Sequence, residues 1–290
     1  EFGRPIERGN QQQMMNEALA VARKSDVVVA CLGEMAEMSG ECASRSNLEL
    51  PDAQMMLLKE LVKTGKPIVL LNFSGRATVL KWESENVNAI MNVWFAGSET
   101  GDAVCDVLFG DKVPTGKTVN SFPQNVGQLP LYYNHMNTGR PVPEGTDRFF
   151  KYQSNYLDVR NDPLYPFGYG LSYTTYEYGD LTLSSSKMKA DGKVEASITV
   201  KNTGLRDGDE IVQLYIRDIS ASIARPVKEL KGFQRIHLKS GESKTVKFDI
   251  TRSQLEFYGS DLKPVVEPGD FTIMVGPNSR DLKTVKLTVE

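Results

Sequence analysis

Apolar and polar positions follow one spacing in the first part of the chain and another after about residue 176. Between Asn10 and Ser25 apolar residues recur every three to four positions, and the continuous apolar run VVVACL follows at 27–32. The first pattern predicts an amphipathic helix, and the second predicts a short strand covered on both faces. A helix leading into a buried strand is therefore expected here.

Helices and buried strands continue to alternate up to about residue 110. A second helix is predicted from Pro51 to a stop at Gly65, the apolar runs at 67–73 and 89–94 predict strands, and a last helix ends near Phe109. This order indicates an α/β layer with a mostly parallel sheet and flanking helices.

Ligands of such sheets bind beyond the carboxyl ends of the strands. The segments that follow the three predicted strands are 33–51, 72–76 and 95–101. Any functional site of this layer is expected among them.

The second part of the chain alternates apolar and polar residues over short segments that Gly, Asp and Pro separate. Seven strands are predicted, at 177–184, 193–202, 210–218, 227–238, 243–250, 271–276 and 283–289. Strands of this length and spacing are typical of an antiparallel sandwich. We predict an α/β domain at 1–122, a connecting segment rich in Pro, Gly and Tyr at 123–175, and an all-β domain at 176–290.

Composition and charge narrow the function classes. A net charge of -3 provides no general attraction to nucleic acid or anionic lipid, and no apolar run reaches the ~20 residues of a membrane helix. The three cysteines and two histidines lack metal-ligand spacing, so no metal or other cofactor is expected. The start EFGRP has no initiator methionine and no signal-peptide pattern, and we interpret it as an artificial junction or a processed end.

The loop after the first strand, GEMAEMSGECASRSNLELP at 33–51, is rich in carboxylates. Glu34, Glu37 and Glu41 could point in separate directions in a loop, and glycoside hydrolysis needs a carboxyl group that donates a proton to the leaving oxygen. Arg45, four residues after Glu41, could orient that glutamate or contact a sugar hydroxyl. A solvated acidic loop explains the same residues without any chemistry.

Other segments carry weaker signals. The loop YYNHMNTGRP contains Tyr133, His135 and Arg140, which suit sugar recognition but equally suit a loop held at a domain interface by hydrogen bonds. FAGSETG lacks the Gly-Lys-Ser/Thr ending of a phosphate-binding loop, so a free-standing nucleotide-binding protein is weakly supported. Cys42 has no local histidine partner and is better explained as a small side chain than as a nucleophile.

Long, ordered motifs occur together along the whole chain. They are GEMAEMSGECASRSNLELP, TGKPIVLLNFSGR, AIMNVWFAGSETGDAVCDVLFGDKVPTGK, SFPQNVGQLPLYYNHMNTGRP and LYPFGYGLSYTTY. Together they resemble glycoside hydrolase family 3, most closely its bacterial periplasmic β-glucosidase branch. The segment SASIARPVKELKGFQRIHLKSGES resembles the fibronectin type III-like domain of that family, and the resemblance extends from about Gln11 to Glu290.

The resemblance implies a retaining, exo-acting enzyme of the periplasm or the secreted fraction that removes β-linked sugars from non-reducing ends. In that family a (β/α)₈ barrel carries the nucleophilic aspartate, and the α/β sandwich domain lends a loop with the acid/base glutamate. By motif this residue is Glu41 in SGECASR, with Glu37 and Glu34 as substitutes. The substrate implied is a β-linked glucoside or oligosaccharide.

Two departures from the family pattern shape the expectation. The chain contains no barrel, and the first strands of the α/β sandwich are missing, which would leave a sheet edge open to the barrel or to another chain. The isolated chain is therefore predicted to be inactive, since one carboxylate cannot fill both catalytic roles. The alternative is a non-catalytic module that contacts carbohydrate or stabilises an enzyme.

Overall fold

The computed structural model describes residues 10–290, so EFGRP lies outside the described residues. The chain divides into two compact units. The first consists of the described residues up to Cys105 together with Phe122–Leu129, and the second of Asp106–Ser121 together with Pro130–Glu290.

Helices and parallel strands alternate in the first part of the chain, as the apolar pattern predicted. The elements are α1 (Gln11–Lys24), β1 (Val28–Gly33), α2 (Asp52–Val62), β2 (Ile68–Phe73), α3 (Lys81–Asn86), β3 (Ala89–Asn92) and α4 (Thr100–Leu108). The Asn10 side chain caps α1 by accepting hydrogen bonds from the backbone of Gln12 and Gln13. The sheet has the order β1-β2-β3, and both pairings are parallel.

The core of the first unit lies between this sheet and its helices. Its fully buried members are aliphatic side chains of α1, β1, α2 and β2 and of the loop before α2: Ala22, Ala30, Leu50, Leu58, Leu61, Ile68 and Leu70. Within the described chain β1 forms one edge of the sheet, and the Val29 side chain on it is 46 % exposed. An open sheet edge was predicted from the family resemblance, and β1 is such an edge among the described residues.

One element of this unit was not predicted. Helix α3 connects β2 to β3, and it supplies the crossover that two neighbouring parallel strands require. Its sequence KWESEN shows no apolar face, and its only fully buried side chain is that of Glu83. Periodicity therefore could not reveal it.

The second part of the chain folds as a β-sandwich. Its strands are β4 (Tyr176–Tyr178), β5 (Thr182–Leu183), β6 (Lys187–Met188), β7 (Lys193–Asn202), β8 (Gly208–Asp218), β9 (Glu229–Leu238), β10 (Ser243–Thr251), β11 (Phe257–Tyr258), β12 (Pro264–Val265), β13 (Gly269–Gly276) and β14 (Lys283–Val289), with the one-turn helix α5 (Arg252–Leu255) after β10. One sheet has the order β10-β7-β4 with β5 also paired to β7, and the other has the order β6-β14-β13-β8-β9.

The sandwich core is aliphatic, and inward side chains alternate with outward ones along β7 and β10. Strand β8 is different, because Gln213 and Tyr215 on its other face are also buried. The Gln213 amide donates to the carbonyl oxygens of Gly168 and Pro277, and Tyr133 lies edge-on to Tyr215. Part of the predicted connecting segment therefore packs on this sheet, within the second unit.

Candidate functional site

Three loops leave the carboxyl ends of the parallel strands on the same edge of the sheet. They follow β1, β2 and β3, and the loop after β1 contains all three candidate glutamates. This edge is where a sheet of this kind binds ligands.

The chain leaves β1 at Gly33, where only glycine fits. Its φ is +142°, and a Cβ atom there would lie 1.8 Å from the carbonyl oxygen of Phe73. The side-chain amide of Gln54 holds the same residue, since it accepts from the Gly33 N–H at 2.7 Å and donates to the Gly33 oxygen at 2.9 Å. The next residue, Glu34, is thereby turned against the loop that follows β2.

Glu34 is a buried, fully engaged carboxylate. Its side chain is 1 % exposed and lies between two arginines, 2.8 Å from Arg45 Nη1 and 3.1 Å from Arg76 Nε. The Ser74 hydroxyl donates to Oε2 at 2.8 Å, and the Gly75 N–H donates to it at 3.3 Å. Burial by itself would raise the pKa of Glu34, but the hydrogen bonds from Arg45 and Ser74 and the charge of Arg76 outweigh it and hold this pKa below 4.5.

This geometry disfavours Glu34 as a proton donor, because a carboxyl with a lowered pKa is ionised at the pH where a donor must carry its proton. Arg45 also has a structural partner. It donates to Glu34 and, through Nη2, to the carbonyl oxygen of Glu49 at 3.1 Å. Glu34 and Arg45 therefore neutralise each other within the protein, and neither needs a sugar as a partner.

Glu41 lies at the exposed tip of the same loop. Residues 40–43 form a turn in which the Ala43 N–H donates to the Gly40 oxygen at 3.3 Å. Glu41 and Cys42 occupy the two central positions, and both are exposed. Cys42 has φ +59°, which is the left-handed conformation that a turn of type II requires at its third residue. Glu37 is also exposed and lies on the short 3₁₀ helix Ala36–Met38.

Arg76 connects this loop to the buried carboxylate. Its Nη2 donates to the carbonyl oxygens of Met38 at 2.7 Å and of Ala43 at 2.9 Å, while its Nε faces Glu34. The segment 38–43, which carries Glu41, therefore rests on a charged network whose central carboxylate is buried. The sequence pointed to the segment 72–76 only through its place after a predicted strand, and it gave no sign that Arg76, Ser74 and Gln54 hold the loop after β1.

The three other candidates lie in the second unit. The ring of Tyr133 stacks on Phe167 at 4.3 Å, so that one face of the tyrosine is used for packing. His135 is exposed, and its backbone oxygen accepts a hydrogen bond from Val227. Arg140 is exposed and donates to the carbonyl oxygen of Tyr152 at 3.4 Å.

The described residues contain no cluster of three or more His, Cys, Asp or Glu side chains able to hold a metal ion. None of the helices described is both long enough and apolar enough to cross a bilayer.

Comparison with known proteins identifies the family to which this fold and loop arrangement belong. Residues 6–173 match the glycosyl hydrolase family 3 C-terminal domain, and residues 210–279 match a fibronectin type III-like domain. The chain is 49 % identical over 279 residues to the periplasmic β-glucosidase of Salmonella typhimurium, with 96 % of this chain and 36 % of that protein covered. A β-xylosidase of Formosa agariphila is 44 % identical, with 94 % of this chain and 37 % of that protein covered.

Solved structures agree in fold. The β-glucosidase of Listeria innocua in complex with gluconolactone matches with a TM-score of 0.92 at 39 % identity, over 99 % of this chain and 39 % of that one. The same enzyme in complex with glucose matches with a TM-score of 0.91. The chain thus spans somewhat more than a third of the length of these relatives. On the strength of the match over residues 6–173, the chain belongs to glycosyl hydrolase family 3.

Proposed function

We propose that this chain forms the C-terminal part of a retaining, exo-acting β-glucosidase and that Glu41 is its acid/base residue. Glu41 would protonate the glycosidic oxygen in the first step and deprotonate the attacking water in the second. The nucleophile would come from a (β/α)₈ barrel, and the chain alone would be inactive. The periplasmic relative from Salmonella supports the same compartment here.

The observation that carries the proposal is the contrast between two carboxylates of one loop. Glu34 is buried and paired with two arginines, whereas Glu41 is exposed at the tip of the segment that one of them, Arg76, supports. An acid/base residue must approach the substrate oxygen and exchange its proton, so an accessible carboxyl on a fixed support meets the requirement.

The substrate we propose is a β-linked glucoside or oligosaccharide. β-Glucosidases and a β-xylosidase are both among the relatives, and the structural relatives include complexes with glucose and with laminaribiose. Tyr133, His135 and Arg140 remain proposed sugar contacts, of which the exposed His135 and Arg140 have side chains free of tight packing. We also propose that the domain boundaries lie after residues 122 and 175.

A hybrid enzyme tests the proposal. This chain would replace the matching C-terminal segment of the Salmonella β-glucosidase, and hydrolysis of a nitrophenyl β-glucoside would be measured. We expect the hybrid to be active and the isolated chain to be inactive. In the hybrid, Glu41→Gln should lower kcat by about 10²- to 10⁴-fold, the usual contribution of a general acid/base.

Two further measurements separate the alternatives. Azide should restore turnover of an activated glucoside by the Glu41→Gln hybrid, because it attacks the glycosyl-enzyme without a general base. Glu37→Gln distinguishes the two exposed glutamates, and loss of activity in this variant with retention in Glu41→Gln would transfer the role to Glu37. Glucose binding by the isolated chain would favour the alternative of a non-catalytic module. Hydrolysis by the isolated chain would refute the proposal that a barrel must supply the nucleophile.

A further inference from the structure

A single guanidinium holds both ends of the segment that carries Glu41. Arg76 Nη2 donates to the Met38 oxygen at 2.7 Å and to the Ala43 oxygen at 2.9 Å. These two carbonyls lie on opposite sides of Glu41 in the sequence. Because one nitrogen bonds to both, the ends of the segment cannot separate without breaking a charge-assisted hydrogen bond.

The guanidinium is itself fixed in orientation. Its Nε lies 3.1 Å and 3.3 Å from the two carboxylate oxygens of Glu34. The backbone N–H of Arg76 donates to the Ser74 hydroxyl at 3.1 Å. Glu34 cannot move away, since Arg45 and Ser74 bind the same carboxylate. The planar guanidinium contacts the carboxylate through Nε and two carbonyl oxygens through Nη2. A lysine ammonium has a single nitrogen and cannot reproduce this geometry.

The same segment also rests on its neighbours through close packing. A Cβ atom at Gly75 would lie 2.0 Å from Ser39 Oγ and 3.1 Å from a ring carbon of Phe95. The glycine therefore permits the loop after β1 to touch the loop after β2, next to an aromatic ring from the loop after β3. No hydrogen bond or ion pair restrains the Glu41 side chain itself among the described residues, so its position depends on this support.

We propose that Arg76 is a positioning residue for Glu41, acting through the backbone of 38–43, and that Gly75 and Glu34 complete the support. The inference rests on the proposed acid/base role of Glu41. Catalysis by positioned groups is steeply sensitive to distance, and a displacement of about 1 Å can cost about 10²-fold in rate. Arg76 would therefore affect proton transfer without touching the substrate.

The first test uses the chain alone and the native thiol of Cys42. With Cys31→Ser and Cys105→Ser, a nitroxide on Cys42 reports the mobility of the turn by electron paramagnetic resonance. We expect Arg76→Lys to raise this mobility clearly. The matched control is Arg45→Lys, which disturbs the same carboxylate but no carbonyl of 38–43, and it should leave the mobility near the original value. Equal mobility in the Arg76→Lys variant and the original chain would overturn the proposal.

The second test uses the hybrid enzyme and two leaving groups. The alcohol of cellobiose needs protonation to leave, whereas dinitrophenolate does not. Arg76→Lys should lower kcat/KM for cellobiose by about 10- to 100-fold and change that for a dinitrophenyl glucoside by less than about threefold. A merely structural role would lower both equally, and that result would refute a positioning role.

A second variant guards against misfolding of Arg76→Lys. Gly75→Ala should displace the loop and cause the same selective loss, and adding Ser39→Gly, which removes the colliding side chain, should restore much of it. Absence of any rescue would contradict the packing argument. Failure of the proposed function would give a different result. Glu41→Gln would then not lower cellobiose hydrolysis selectively, while Arg76→Lys would still raise the mobility of the nitroxide on Cys42.

Discussion

The buried carboxyl group of Glu83 should make the stability of the first unit depend on pH near neutrality. Glu83 is 1 % exposed in helix α3, and its Oε1 has no hydrogen-bond partner among the described residues. Burial raises the pKa of Glu83 from 4.5 to about 7, with a smaller contribution from the charge of Glu49. The backbone N–H of Glu83 and the Lys59 ammonium oppose the rise.

The sign and the size follow from proton linkage. Below pH 4.5 the group is protonated in both the folded and the unfolded chain, so burial of its charge costs nothing. Between pH 4.5 and about 7 the unfolded chain releases the proton first, and the free energy of unfolding falls. The difference between 4.5 and about 7, at about 1.4 kcal/mol for each pH unit, amounts to about 3 kcal/mol above pH 7.

Glu83→Gln keeps the shape of the side chain and removes its titration. We expect the free energy of unfolding of this variant, minus that of the original chain, to rise by about 3 kcal/mol between pH 4.5 and pH 8. Urea unfolding followed by tryptophan fluorescence measures it, because both tryptophans, Trp82 and Trp94, lie in the first unit. Other groups that titrate in this range affect both proteins and cancel.

The matched control is Glu85→Gln on the same helix. Glu85 is exposed and pairs with Lys81 four residues earlier, a surface ion pair worth at most about 1 kcal/mol. Its effect should vary by less than about 0.5 kcal/mol over the same pH range. The reasoning is refuted when the Glu83→Gln difference stays constant with pH or falls as the pH rises.

The remaining predictions concern the loop support and the sandwich. Glu34→Gln should destabilise the first unit by about 3 kcal/mol at pH 7, because it leaves two partly buried arginines without their buried counter-charge. The loss should shrink in acid, since a carboxylate with a lowered pKa loses its contribution to stability as the pH falls through that pKa, and urea unfolding at pH 7 and pH 3.5 measures both effects. Gly33→Ala should cost more than about 3 kcal/mol or prevent folding, because its Cβ would meet a backbone oxygen, whereas Gly65→Ala, which meets nothing, should cost about 1 kcal/mol, as thermal unfolding of the two variants will show. Ile198→Ala in the sandwich core should lower stability by about 2–5 kcal/mol, measured by calorimetry because the sandwich contains no tryptophan.

Much of the fold was predictable from side-chain spacing. The longer strands of the sandwich alternate between a solvated face and the core, so β7, β10 and β14 were predicted within one residue of their observed bounds. The predicted strand at 177–184 is instead divided into β4 and β5. The burial of both faces of β8 was beyond prediction, because the segment that covers one face is more than 40 residues away in sequence.

The candidate site was predictable only in outline. The candidate glutamates were predicted to follow the first strand, and they do lie in the loop after β1, on the edge where parallel strands present their carboxyl ends. Their different environments could not be predicted, because the partner of Glu34 on the β2 loop, Arg76, is 42 residues further along the chain. Spacing in the sequence predicts Arg45 as a partner of Glu41, four residues away, whereas the structure pairs it with Glu34, at a separation of 11 residues.

Under the role proposed for Glu41, a division of labour between two carboxylates explains why an acidic loop follows this strand. A carboxylate that anchors a loop through arginines is held ionised by them, and an ionised carboxylate has no proton to donate. A carboxyl that serves as donor must instead be left unpaired, and it then contributes nothing to the order of its own loop. The chain meets both requirements by committing Glu34 to Arg45 and Arg76 and by carrying Glu41 on the segment that Arg76 holds. Two glutamates of one loop in opposite environments thus combine an ordered loop with the free carboxyl that the proposed role of Glu41 requires.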